Sequence, residues 1–586
     1  MSKEEVNIEQ FKGRTVVEVA MEVALTPEIL DELNKQFNHN VARHAAMSTS
    51  VGGIGPLLRE RMVAMSNLGV NVIGVSLLYD RVWKQRWYNW GQLYLERVKV
   101  ASYLRQVMKE VATINIKMYD GTTVPTRVWL AEYGNAKMYF LDEPEINISV
   151  YPGKEDALAK VADPVEWAET ARRKQSWLLG RGMLTLMKYL NQKPDFIVMS
   201  ETPTIFAHNA LITDEFQHDP LFEDTKYVFN DHTPLEYAHP MWTIDTLKQV
   251  HIDPHYYKKL HEDKELHKVD ITQLLIFICE GVYGVAAKHG DVMRQMPTLK
   301  KFAKKIQTVT NGVSVKYWQC PELANYKNMS DDEIIAVKDR MKNELADWVW
   351  FRYKLWSKWR ELAKQRPMIV WSRRITSYKR MDILSQMLKN RAFAQRLIAT
   401  QATIIIGGRI HQQDDLSRRI IFDLLDQVAV YPRLEEQIVV LDNYNVWEAP
   451  KMFHGADASI MISDAGREAS ATGFMKAQLN GGIIIACSDG AIPESVIFAN
   501  GENNNGKMPN GFQVHYQDDQ PTSESLLSAI EQFTDNYRNK TNRVKMIRAA
   551  LDMTEQVSVE RTVRETLALF HEICGTNCRK ELAGIK

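Results

Sequence analysis

The sequence predicts an α/β protein of two large domains, and three observations carry that prediction. At 586 residues the chain is several times the usual domain size. Its second half alternates short apolar runs of strand length (residues 368–371, 403–406, 437–441, 458–462 and 483–487) with longer helical stretches. Between the last two runs lies Arg467-Glu468-Ala469-Ser470-Ala471-Thr472-Gly473-Phe474-Met475-Lys476, continuing to Asn480-Gly481-Gly482. That reads as strand, polar loop, helix, strand, and in an open α/β sheet ligands bind outside the carboxyl ends of strands.

The residues of this loop suit a ligand. Ala469, Ser470, Ala471 and Gly473 are small enough for close backbone approach, and the helix that follows offers N–H groups to an anion. Glu468 can accept hydrogen bonds from hydroxyls. Lys476, one turn into the helix among Phe474, Met475, Ala477 and Leu479, is either a snorkelling surface lysine or a desolvated amine suited to a Schiff base.

In chain order, residues 15–24 alternate enough for a first strand, and Thr26-Pro27-Glu28 starts a helix. Ser50-Val51-Gly52-Gly53-Ile54-Gly55-Pro56 precedes a helix over 57–68; it is either a phosphate-cradling loop or a tight turn. Residues 112–142 read as a β-meander with an Asp120-Gly121 turn, Arg172 begins a helix, and 196–199 is a buried strand leading to Ser200-Glu201-Thr202-Pro203. After 228–230 comes Asp231-His232-Thr233-Pro234, where a histidine at a strand end can serve a ligand or simply the structure. Residues 348–364 read as one long aromatic, basic helix bridging the domains. The run Ser372-Arg373-Arg374-Ile375-Thr376-Ser377-Tyr378-Lys379-Arg380 follows a strand; it is a solvated loop or a set of anion ligands facing the Lys476 loop. Residues 523–586 read as helical and solvated.

Composition narrows the function classes. Lys+Arg and Asp+Glu both total 73, so no global field favours nucleic acid or an anionic membrane. No run approaches the about eighteen apolar residues of a membrane span, and the N-terminus lacks a signal-peptide core. Five scattered cysteines argue for reduced thiols and a cytoplasmic home. Cys574 and Cys578 beside His571 read as ordinary helix residues, so no metal is expected. Fourteen tryptophans and twenty-two tyrosines suit sugar stacking and a large core equally.

The run Glu468–Lys476 with Leu-Asn-Gly beyond it resembles the pyridoxal-phosphate signature of the α-glucan (glycogen, starch, maltodextrin) phosphorylases, with Ala471 where the family usually has glycine. Other motifs resemble the same family in order: Gly52-Gly53-Ile54-Gly55 with the segment to Tyr79, Arg172-Arg173-Lys174-Gln175, His232-Thr233-Pro234, residues 280–291 (a helix in the family), Asn311 with Trp318, residues 373–380, Gly407-Gly408-Arg409, Asn443-Tyr444, and residues 488–494. Glu201 alone matches the family at its strand end and is given no role. Departures fall at Ala24, Asn445 and Ser314–Tyr317.

The resemblance implies two Rossmann-like domains of the glycosyltransferase-B type with an interdomain cleft, divided as 1–355, 366–540 and a helical tail 541–586 crossing back. It implies a retaining α-1,4-glucan phosphorylase resembling the short bacterial and archaeal members, in which orthophosphate releases α-D-glucose 1-phosphate from a glucan or maltodextrin. Lys476 then carries pyridoxal 5′-phosphate, with Thr472, Gly473, Arg373, Tyr444 and Gly53 beside the cofactor. Arg374, Lys379, Lys476 and His232 are the catalytic set. Glu468, Ser470, Ala471, Asn311, Gly53, Ile54 and His232 bind substrate. A homodimer follows by family analogy. Two further classes stay open: a nucleotide-sugar-dependent glucosyltransferase related to glycogen synthase, which does not need Lys476, and a non-catalytic carbohydrate-binding homologue.

Overall fold

The computed structural model describes residues 7–88, 92–157, 161–211, 216, 218–235, 238–260, 267–501 and 506–575. The chain forms two compact units. One lies within Met1–Val82, Arg97–Thr310 and Glu560–Lys586; the other lies within Trp83–Glu96 and Asn311–Val559.

The first unit is built on a nine-stranded sheet among the described residues. Seven strands are parallel, in the spatial order Ile306–Thr308, Gly281–Gly284, Lys226–Asp231, Phe196–Ser200, Thr15–Val19, Asn71–Leu77 and Ala136–Asp142. The central members are buried on both faces, which is why they read as apolar runs rather than alternating ones. The expected meander, Lys109–Lys117 and Thr123–Tyr133 beside Ala136–Asp142, closes the edge antiparallel and half exposed.

Helix Pro164–Tyr189 covers one face. Asp163 caps it by accepting from the Val165 and Glu166 N–H groups, with Pro164 supplying a ready φ. Arg172 therefore lies inside this helix and does not begin it. Gly180 lets the helix approach the 202–211 segment: a Cβ there would stand 2.2 Å from the Phe206 carbonyl carbon. Helix Val559–Ile573 adds Phe570, stacked on Phe196 with centroids 4.3 Å apart.

The second unit has six parallel strands in the spatial order Ile438–Leu441, Thr403–Gly407, Met368–Ser372, Ala458–Met461, Ile483–Ala486 and Gly511–Gln513. Numbered along the chain this is 3-2-1-4-5-6, the doubly wound order. The arm Arg81–Tyr88 and Gln92–Lys99, unforeseen in the sequence, joins it: the Gln85 N–H donates to Asn443 Oδ1 at 2.7 Å and Arg409 Nη2 donates to the Trp83 carbonyl at 2.6 Å.

Three expectations are corrected. Residues 280–291 divide into strand Gly281–Gly284 and helix Ala287–Gln295, because the apolar run Val282-Tyr283 pairs on both sides in the sheet. The single helix 348–364 is two helices, Asp331–Tyr353 and Ser357–Gln365, broken where Lys354 takes φ +50°. The boundary expected at 355 falls instead after Thr310. Helix Asp331–Tyr353 buries Leu345, Ala346 and Val349 against Met368, Val370 and Met452 of the second unit.

Gly180→Ala is expected to lower stability by about 1–3 kcal/mol, since its new methyl meets backbone and not a side-chain tip. Urea denaturation followed by circular dichroism measures it; an unchanged midpoint would mean the helix can shift away.

Candidate functional site

In the second unit the strand order reverses between Met368–Ser372 and Ala458–Met461, so loops leave their carboxyl ends in opposite directions. The cationic segment follows the first strand and the small-residue loop follows the second. They meet at Glu468. Arg373 is buried, donating from Nη1 to the Ile462 carbonyl at 2.6 Å and from Nη2 to the Glu468 carboxylate. Lys379 Nζ lies 3.3 Å from Glu468 Oε2. The Glu468 N–H donates to Asp489 Oδ2 at 3.1 Å, and Asp489 also accepts from the Ser463 hydroxyl.

The electrostatics follow from this crowding. Burial alone would raise the Glu468 carboxyl, but Lys379 and Arg373 overcome it and hold the group below the ordinary range. Burial first, and then the charges of Arg373 and Arg374, push Lys379 down to about 7 against the pull of Glu468. Arg374 itself is exposed, next to Tyr378. Two cations thus share one carboxylate with Arg374 close by, an arrangement that favours a further anion.

Lys476 lies on the short helix Gly473–Gln478 and is 8% exposed. Its Nζ stands 4.0 Å from the Trp318 ring centroid and 5.9 Å from that of Phe453. Of the two readings the sequence allowed, the amine is the desolvated one. Ser470 Oγ is buried with no hydrogen-bond partner among the described residues. Thr472 precedes the helix, and a Cβ on Gly473 would meet Met461 Cε at 2.3 Å. Tyr444 lies over Gly407, with burial raising its hydroxyl. Asn445, where the family has arginine, is a turn residue: its side chain accepts from the Trp447 and Glu448 N–H groups and donates to Glu448. Asn311 is buried a few residues before helix Val315–Trp318.

Two residues outside the predicted site set hold this region in place. The Asn480 side chain donates to the carbonyls of Trp318 (2.7 Å) and Lys476 (2.9 Å) and accepts from the Cys320 N–H (2.8 Å). Lys338 Nζ donates to the carbonyls of Asn480 (2.7 Å), Ala456 (2.8 Å) and His454 (3.3 Å), and burial pushes it down to about 8. A signal existed: Lys338 and Lys342 fall in the stripe of Ile334, Met341 and Leu345, two lysines on a face that otherwise reads as core.

The first unit holds the remaining candidates. Gly53 is exposed at the start of helix Ile54–Asn67, in ordinary right-handed conformation. Two N–H groups of its loop are already engaged: Val51 and Gly52 both donate to Glu22 Oε2, at 2.8 and 3.0 Å. Gly53 and Ile54 follow that carboxylate-braced turn. The His232 N–H and the Thr233 hydroxyl donate to Glu201 Oε1 at 3.1 and 2.9 Å, so the strand-end glutamate organises this loop. Burial and the neighbouring Asp231 charge push Glu201 up.

The fold's implied cofactor can be tested against these residues. A desolvated lysine on an aromatic platform, an orphaned buried hydroxyl at Ser470, and cations in excess of carboxylate together suit an anionic aldehyde; the second unit's residues fit pyridoxal phosphate. Among the described residues no His, Cys, Asp or Glu group could hold a metal, and no helix is long and apolar enough to cross a membrane. Cys578 lies outside the described residues.

Ala471 takes φ +67°, the region that favours the family's glycine. Ala471→Gly relieves about 1–2 kcal/mol of left-handed strain against about 0.5–1 kcal/mol of added chain entropy, so a net gain of about 0.5–1 kcal/mol is expected. Urea midpoints measure it, with Ala471→Val moving the other way.

Comparison with known proteins places the chain among glucan-handling enzymes by similarity. Residues 319–505 match the carbohydrate phosphorylase family and residues 41–312 match the starch synthase catalytic domain. The maltodextrin phosphorylase of Thermococcus litoralis is 22% identical over 89% of this chain and 68% of its own. The glycogen phosphorylase of Mycobacterium tuberculosis is 21% identical over 75% of this chain and 58% of its own length. The catalytic domain of starch synthase IV from Arabidopsis thaliana, bound to ADP and acarbose, superposes with a TM-score of 0.70 at 16% identity, covering 96% of this chain and 100% of that one. The α-glucan phosphorylase resemblance read from the motifs therefore holds as a resemblance, with residues 41–312 similar to starch synthase and residues 319–505 similar to carbohydrate phosphorylase, and the fold is of the two-domain glycosyltransferase-B type.

Proposed function

We propose that this chain is a retaining α-1,4-glucan phosphorylase with pyridoxal phosphate held at Lys476. The observation that carries the reading is the junction of Arg373, Lys379 and Glu468 with the loop that leads to the buried Lys476. A nucleotide-sugar transferase needs no desolvated lysine there.

In this reading Arg374 and Lys379 bind orthophosphate, their charge drawing the anion into a site where water screens little. Bound pyridoxal phosphate supplies, through its 5′-phosphate, a partner for proton exchange with the substrate phosphate. Thr472, Gly473, Arg373 and Tyr444 are the residues that would hold it. A phosphate oxygen forms the new bond to C1 of the terminal glucose as the bond from C1 to the glucan oxygen breaks, and the phosphate's proton passes to that leaving oxygen. Glu468, Ser470, Asn311 and His232 orient the sugar. The product is α-D-glucose 1-phosphate and a glucan one unit shorter.

The second reading, a nucleotide-sugar-dependent glucosyltransferase, is favoured by the starch synthase match across 41–312 and by the fold likeness. Its reaction would use the same cations on a nucleoside diphosphate.

The absorbance spectrum of protein reconstituted with pyridoxal phosphate, before and after borohydride, separates the two. Phosphorolysis predicts a reducible band that Lys476→Ala abolishes, together with phosphate-dependent release of glucose 1-phosphate from maltodextrin. No band after reconstitution would sink the phosphorylase reading and turn attention to sugar transfer from ADP-glucose.

A second test uses pH. Lys379, at about 7 in the folded protein, is charged below that pH and neutral above it, and an anion favours the charged form. Sulfate, which does not titrate near neutrality, is expected to bind with proton uptake and to weaken between about pH 7 and 9. Calorimetry in buffers of different ionisation enthalpy measures the uptake, which Lys379→Met removes.

A further inference from the structure

A line of buried side chains crosses the first unit's sheet and ends on His232. Glu18, on the central strand Thr15–Val19, receives Arg61 in a two-pronged pair, with Arg61 Nε at 2.7 Å from Oε1 and Nη2 on Oε2. Arg61 Nη1 donates to the Tyr283 hydroxyl oxygen at 2.9 Å. Asn230 Nδ2 donates to that same oxygen at 3.0 Å. The amide is thereby turned so that its carbonyl faces the imidazole, and Asn230 Oδ1 lies 2.8 Å from His232 Nε2. Four separate elements contribute: two neighbouring-sheet strands for Asn230 and Tyr283, the central strand for Glu18, and helix Ile54–Asn67 for Arg61.

We propose that Asn230 is a positioning residue for His232. Anchored through Tyr283 and Arg61, it fixes the ring in one orientation and one tautomer, proton on Nε2, leaving the Nδ1 lone pair to accept a substrate hydroxyl. The tautomer follows because a carbonyl oxygen can only accept, so the nitrogen facing it must carry the hydrogen. Among the described residues Nδ1 makes no hydrogen bond. The other half of the loop is fixed from below: Glu201 accepts the His232 N–H and Asp231 accepts that of Thr233.

The surroundings keep the ring neutral. Burial first, then the charges of Arg61 and His289, push the imidazole down to about 3. The charged and titratable groups around it are Arg61, Glu18 and Tyr283 along the line, Glu201 and Asp231 beneath the loop, and His239 and His289 against Asp231. A neutral acceptor recognises a hydroxyl, whereas an imidazolium would recruit phosphate, so the line gives this residue to the sugar. Its use on a sugar rests on the phosphorylase reading; the tautomer does not.

The test is nitrogen-15 NMR of histidine-labelled protein, with the His232 ring assigned by its loss in His232→Gln. The wild type is expected to show the Nε2–H pattern without titrating from about pH 5 to 8. Asn230→Asp, nearly isosteric, faces Nε2 with a carboxylate, and the ring should then titrate inside that window. Tyr283→Phe should blur the tautomer while leaving Asn230 in place. An Nδ1–H pattern in the wild type, or a spectrum unmoved by either variant, overturns the proposal. In phosphorolysis, Asn230→Asp should raise KM for maltodextrin about three- to tenfold with a smaller change in kcat. A moved spectrum with unchanged KM overturns the sugar-acceptor role. It does so without touching the phosphorylase reading, which the borohydride experiment decides on its own.

Discussion

A carboxylate buried between two cations governs the second unit's functional end. Glu468 cannot be left alone at that depth, and neither can Arg373 or Lys379; each is tolerable only because the others are present. The group also ties three strand ends together. Arg373 leaves Met368–Ser372, Glu468 follows Ala458–Met461, and Asp489, which holds the Glu468 N–H, follows Ile483–Ala486. The loop between Glu468 and the Lys476 helix has to turn within a few residues, which is why Ala471 accepts a left-handed backbone. Charge neutralisation, in this sense, sets the shape of the loop that carries the lysine.

The lysine's own setting depends on a second layer. Asn480 reads the carbonyls of Trp318 and Lys476 at once, so the aromatic platform and the helix above it keep one spacing. Lys338 satisfies the Asn480 carbonyl from the other side. A buried ammonium held by three carbonyls costs desolvation, and its depressed proton affinity records that cost. Its three N–H donors match three carbonyls that would otherwise be buried without a partner from this side chain.

Much of the second unit was legible in the sequence because its signals are local. Five apolar runs became five parallel strands, and the cationic and small-residue loops met where the strand order reverses. What stayed hidden came from partners far apart in the chain. The Glu18–Arg61 pair spans 43 positions and Arg61–Tyr283 spans 222, so no spacing rule could join them. The 280–291 stretch misled for a related reason: Val282-Tyr283 is short enough to be strand or helix, and only its two neighbours in the sheet decide. The aromatic stretch after Trp348 has helical period throughout, and the break at Lys354, where φ is +50°, falls at neither a proline nor a glycine, so no local residue announces it.

The two units repeat one topology and use it for different chemistry. Both place loops at a strand-order reversal, yet the first unit's loops bring carboxylates there, Glu22 bracing a turn and Glu201 bracing His232, while the second unit's bring cations. The backbone N–H groups of the glycine turn make the point plainly. A free nest of that kind invites phosphate, but here Glu22 has already taken two of its donors, whereas the second unit's strand-end loops present Arg373 and Lys379. With two of its turn's donors engaged from within, and its histidine kept neutral, the first unit presents hydrogen-bond acceptors and donors rather than net positive charge at this end. Fold sets where the loops emerge, and the side chains placed there set the charge that each unit's strand ends present.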